Sequence, residues 1–133
     1  MFMLISFPLM LVPLAVYNVL VLAGNVNPWE DVILRNELAG GGQFTLTLGE
    51  ALIIVSLLLL FLEILKATRI ASSSIVDHLL STAVFVAFLV EFLLVDWATT
   101  STFFILTVIA LIDVIAGYSV SIRNASRDLT IDR

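Results

Sequence analysis

The stretch FILTVIALIDVIAGYSV, residues 104–120, would sit comfortably in hydrocarbon but for Asp113 near its middle. With cap and loop residues set aside, three more carboxyl or imidazole side chains stand inside apolar runs: Glu63, His78 and Glu91. Carboxyls and an imidazole so placed can do one of two things. They can exchange protons or hold cations along a path through a membrane, or they can tie helices together where no water competes. Other chemistries find little support. The chain has no cysteine and a single histidine, so a thiol nucleophile is excluded and a zinc site is not expected. No G-x-S-x-G and no phosphate-binding loop occurs, and the Gly40–Gly42 run does not precede a helix with a lysine. The expectation is a protein that is not an enzyme, with no cofactor and no metal.

Depth sorts the four candidates. Counting from each span centre at about 1.5 Å per residue puts Asp113 within ~2 Å of the midplane. Glu63 then lies ~7 Å to one side, Glu91 ~7 Å to the other, and His78 ~12 Å out on the side of Glu63. Glu63 can pair with Lys66 three residues on, reach the interface, or meet His78 across an antiparallel hairpin. Glu91 shares a helix face with Asp77, Val84 and Phe88, and Asn18 or Thr107 should lie at its depth for an interhelical hydrogen bond. Asp113 makes the sharpest demand, since an Asp at a span centre costs about 2.5–3.5 kcal/mol on insertion scales. Its own face is small: Ala110, Ala116, Gly117 and Ser121. A dry site would hold it as the neutral acid, a donor. The carbonyl of Leu9, left free by Pro13, is a suitable acceptor near the midplane. Glue between the fourth and first spans is one reading of Asp113, and a proton or cation relay is the other.

The elements that must position these residues follow from hydropathy. Apolar residues make up 61% of the 133, against roughly 45–50% in soluble proteins. A domain of this size buries only about two-thirds of its unfolded surface, so part of its solvent must be lipid. Four apolar runs, about 2–23, 48–68, 75–97 and 102–122, each approach the ~20 residues a helix needs to span a bilayer. The first lacks a positive n-region and is long for a signal h-region, so a retained span is expected. The expected fold is all-α: one domain, 1–133, an integral membrane bundle of four antiparallel transmembrane helices. TLGE (47–50) and SIVD (74–77) fit the capping box ahead of an apolar run, which gives Glu50 and Asp77 a structural role. Between the first two spans, Asn27, Pro28 and Glu30 look like a helix start, and Gly40–Gly42 would end the element. A short interfacial helix is expected there, with Trp29 at headgroup depth or packed on the bundle mouth.

Lys66 and Arg69 lie between the second and third runs, and Arg123, Arg127 and Arg133 follow the fourth. Arg35 is the one basic residue in the other two connections. The positive-inside rule then puts both termini in the cytoplasm, and in a bacterium the acidic loops face the periplasm. The net charge of −5 and the lack of a basic stripe argue against nucleic acid.

LEILKATR (62–69), SIVDHLLSTAVF (74–85) and LIDVIAGYSVSIR (111–123) resemble a group of small four-span inner-membrane proteins of Gram-negative bacteria. The similarity covers most of the chain from Thr45 onward. That group carries no assigned activity, so the resemblance implies a bacterial inner-membrane location and no functional residue. TTSTFF (99–104) is similar to the TTFSTF stretch of small fluoride channels, but the glycine-rich segments and dual-topology charge balance of that family are missing. The leading expectation is an accessory, assembly or oligomer-forming membrane protein. Its partners would be the bilayer and other copies of itself, or another membrane protein, meeting the Ala110/Asp113/Gly117 face. The alternative is a proton- or cation-coupled channel or transporter working as an oligomer, with Asp113, Glu91, Glu63 and His78 as its ion sites.

Overall fold

A computed structural model of the chain describes residues 8–24, 28–69 and 75–131, and the side chains of 67–69, 75–76 and 120–131 lie outside that description. In chain order the elements are α1 (Leu11–Gly24), β1 (Val32–Glu37), β2 (Gln43–Thr47), α2 (Leu48–Arg69), α3 (Ile75–Leu94), a 3₁₀ turn (Asp96–Ala98) and α4 (Ser101–Ile131). Among the described residues, three stretches are long and apolar enough to cross a membrane: Leu48–Lys66, Asp77–Leu94 and Ser101–Ser119. They match the second, third and fourth expected spans.

The expected first span is a shorter element. α1 has 14 residues, about 21 Å at 1.5 Å per residue, which falls short of ~30 Å of hydrocarbon. Its start is set by Pro8 and Leu9, whose carbonyls accept from Leu11 and Val12. Residues 1–7 of the expected run lie outside the described residues. The third expected span, drawn to residue 97, stops at Leu94, and the chain turns through Asp96–Ala98. The fourth runs nine residues beyond its expected end, to Ile131.

The interfacial helix is replaced by a β-hairpin, so the fold is mostly helical rather than all-α. β1 and β2 pair antiparallel, Val32 facing Thr47 and Glu37 facing Gln43. The physical reason lies at both ends. β-branched Val32 and Ile33 favour a strand. Gly41 sits at φ +90°, closing a turn in which the Leu38 amide donates to the Gly42 carbonyl. Pro28 opens a turn closed by Asp31, not a helix. A lone hairpin is marginal in water. This one is fastened to α2, where the Leu48 and Gly49 amides donate to the carbonyls of Asp31 and Trp29. Thr47 is both the last strand residue and the cap of α2. Its amide donates to Glu50 Oε1 (3.0 Å), and the Glu50 amide donates to Thr47 Oγ1 (3.2 Å), so the expected capping box is present. Ser74, the cap expected for α3, lies outside the described residues; Asp77 stands in the first turn of that helix.

α4 is the helix on which α2 and α3 both pack. It carries Phe103, Leu106, Ile109 and Ala110 into the core, where Leu52 and Leu60 of α2, Val84 and Phe88 of α3, and Leu14 and Tyr17 of α1 meet them. Near the hairpin the core is aromatic. Tyr17 stacks on Trp29 with centroids 4.4 Å apart and meets Phe103 edge-on at 4.8 Å, while Phe103 meets Phe88 at 5.3 Å. Trp29 is therefore buried on the bundle mouth and not spread at headgroup depth. The outer face is apolar throughout, with Leu58, Phe61, Leu93 and Leu94 more than half exposed, as a lipid-facing surface requires.

Candidate functional site

The membrane-depth carboxyls gather in two clusters, one toward each end of the bundle. The first is built on Asp113 and Glu63, both nearly fully buried. The Asp113 carboxyl hydrogen-bonds to the Glu63 carboxyl and accepts from the Ser81 hydroxyl, with the Lys66 charge nearby. Glu63 Oε1 accepts from Lys66 Nζ at 3.0 Å and from the Leu9 amide at 3.0 Å. One carboxyl pair thus joins α2, α3, α4 and the segment leading into α1.

The contacts of Asp113 join helices, with partners that differ from those expected. Asp113 meets α2 and α3, not α1. The Leu9 carbonyl, expected to be free for it, accepts from Val12 in the first turn (3.1 Å). Pro13 leaves that carbonyl without its helical donor, and a tighter turn supplies another. It is the Leu9 amide that reaches the carboxyls. The small face of α4 is used within the chain: Ala110 and Asp113 are buried, and a Cβ on Gly117 would come 3.3 Å from His78 Nδ1. The His78 ring lies against Tyr118, centroids 4.9 Å apart, and Thr82 Oγ1 is 3.1 Å from the Tyr118 hydroxyl. His78 therefore sits about one turn of α4 from Asp113, beside Gly117 and Tyr118.

The second cluster lies near the hairpin end. Glu91 Oε1 accepts from Asn18 Nδ2 at 3.1 Å, the cross-helix partner that depth counting suggested. Asn18 Oδ1 accepts from the Trp97 indole at 3.2 Å. The Tyr17 hydroxyl lies 2.8 Å from the Trp97 carbonyl, to which it donates, and 2.8 Å from Thr100 Oγ1. The other Glu91 oxygen is buried with no hydrogen-bond partner. Thr107, the other expected partner, instead donates to the Phe103 carbonyl within α4. Sequence reasoning missed Tyr17, Trp97 and Thr100. An amphipathic ring in an apolar helix, with a second aromatic next to a turn, was the available signal.

Among the described residues no three of His, Asp and Glu gather as a metal ion would require. Between the clusters Leu60, Leu106 and Ile109 are buried on facing helices, and the two buried hydroxyls there, Ser56 and Thr107, each donate to a carbonyl of their own helix. Beside them, an apolar groove of about 220 Å³ runs between α1 and α2, lined by Pro13, Val16, Trp29, Leu52 and Val55 among others. No protein-family model, curated protein or solved structure matches the chain.

Proposed function

We infer that the protein is a non-catalytic membrane protein of the bacterial inner membrane, acting as an accessory, assembly or oligomer-forming subunit. The observation that carries this reading is that each membrane-depth carboxyl is spent on a tie between helices. Glu63 and Asp113 join α2, α3, α4 and the entry to α1, and Glu91 joins α3 to α1. Between the two ties lie apolar side chains and two hydroxyls, Ser56 and Thr107, each bonded within its own helix, which supports anchoring over conduction. The inner-membrane placement rests on the resemblance from Thr45 onward, and the cytoplasmic placement of both termini rests on the Lys/Arg asymmetry. Because α1 falls short of the hydrocarbon thickness, a cytoplasmic N-terminus requires residues before Leu11 to complete the crossing. Partners meet the protein on its outward apolar faces, since α2 and α3 already cover the Ala110/Asp113/Gly117 face.

The test is the mass of the native assembly. Expressed at low level and extracted in mild detergent, the chain should migrate well above its 14.6 kDa monomer plus micelle. A strictly monomeric protein that carries ions after reconstitution would overturn the reading.

A further inference from the structure

We propose that β1 is an interface strand: its free edge pairs antiparallel with β1 of a second copy, centred on Asn36, to make one four-stranded sheet across two subunits. The proposal deepens the oligomer-forming reading given above and rests on it. The edge is open. Among the described residues the sheet has two strands only, and all six residues of β1 are exposed. Hydrogen bonds in an antiparallel ladder alternate from side to side along a strand. The Leu38 amide donates across the hairpin to the Gly42 carbonyl, so Asn36 and Leu34 also turn their backbone groups inward, to β2. Arg35 and Glu37 turn theirs outward, where a second strand can take them.

Charge selects the partner and the register. Inside the hairpin Arg35 faces Thr45 and Glu37 faces Gln43, so neither charge is answered across the sheet. Three registers bring these two positions against those of a copy: Arg35 on Arg35, Arg35 on Glu37, or Glu37 on Glu37. The first and third set like charges face to face, which destabilises a strand pair. Centring on Asn36 gives the second, and the two-fold makes the Arg35–Glu37 pair twice. It also sets Leu34 opposite Leu38. The faces of the hairpin fit this arrangement. Leu34, Leu38 and Phe44 lie exposed on one side, with Arg35, Glu37 and Thr45 on the other. Two copies inserted the same way round share a two-fold along the membrane normal, and the two-fold of an antiparallel strand pair is perpendicular to its sheet. The four-stranded sheet therefore lies flat on the bilayer, with its apolar side to lipid and its ion pairs to water.

The chain has no cysteine, so a single Asn36→Cys substitution reports the dyad. Position 36 meets its copy at a non-hydrogen-bonded site, with Cα atoms about 4.5 Å apart and within disulfide reach. Phe44 faces Asn36 from the outer strand, so the two Phe44 positions lie three strand spacings apart, about 14 Å and out of reach. The full chain in native membranes, treated with a mild oxidant, should form a covalent dimer through Asn36→Cys and not through Phe44→Cys. In the Asn36→Cys background, Arg35→Glu should slow cross-linking roughly fivefold or more, because two attractive pairs become repulsive. Exchanging both charges, Arg35→Glu with Glu37→Arg, should restore the rate. Equal cross-linking at positions 36 and 44, or a double exchange no faster than Arg35→Glu alone, overturns the β1 pairing. A native mass above the monomer with no Asn36→Cys dimer overturns the pairing and leaves the oligomer-forming reading standing. A strictly monomeric native mass overturns both.

Discussion

The two polar clusters solve the same problem by opposite means. Around Glu63 and Asp113 the protein concentrates charge and then cancels it, with an ammonium, a hydroxyl and a backbone amide each placed on a carboxyl. Around Glu91 it uses neutral groups: an amide, an indole, a phenol and a hydroxyl, set beside stacked aromatic rings. One Glu91 oxygen is left without a partner, a cost the other cluster does not carry. The contrast follows from location. Lys66, its side chain 24% exposed, is long enough to reach Glu63 while its stem lies along apolar surface. At the hairpin end no Lys or Arg lies on α1, α3 or the 3₁₀ turn to play that part, and hydrogen bonding must suffice. Charge is expected to be indispensable in the first cluster and dispensable in the second.

The largest effect should come from Glu63→Leu. It strips Lys66 of its partner, leaves the Leu9 amide without an acceptor and isolates Asp113. A loss of about 3–5 kcal/mol is expected, read as failure to survive extraction or as a collapse of thermal stability. A variant as stable as wild type would mean the cluster ties nothing. Next comes Gly49→Ala, which tests the platform beneath the aromatic cluster. A Cβ there would lie 2.9 Å from the Trp29 carbonyl and 2.7 Å from Thr102 Oγ1. The carbonyl belongs to backbone that cannot swing aside, so about 1–3 kcal/mol should be lost. Trp emission should shift as Trp29 leaves its stack on Tyr17.

Tyr17→Phe sharpens the comparison within the second cluster. It keeps the ring contacts but orphans the Trp97 carbonyl, for an expected cost of about 1–2 kcal/mol in thermal or denaturant unfolding. Glu91→Gln should do least, within about 0.5 kcal/mol of wild type, because Asn18 keeps its acceptor and no cation loses a partner. A loss from Glu91→Gln as large as that from Glu63→Leu would erase the distinction between the clusters.

Sequence hydropathy made α2, α3 and α4 legible, because a continuous apolar run of about 20 residues has few other uses. The Thr47–Glu50 box was legible because its four-residue pattern is local. Asn18 with Glu91 was legible from depth alone. The hairpin was not: Pro28 and Glu30 are helix-start residues, and a glycine run ends helices as readily as it turns strands. Gly41 at positive φ and the β-branched pair Val32–Ile33 decided for the turn. The Glu63–Asp113 contact was hidden by the same depth counting that found Asn18. Counting put the two carboxyls several ångströms apart in height, a gap that side-chain length and helix tilt can close. Which helices touch is a tertiary fact, and α4 as the common support of α2 and α3 is not written in any one run.

The most direct test is ion flux. Wild type and Asp113→Asn, reconstituted in liposomes, should pass protons and monovalent cations no faster than empty vesicles at any pH, because the carboxyls are ties and the space between them is filled. Wild-type flux that disappears in an equally stable Asp113→Asn protein would contradict the account and make Asp113 a relay.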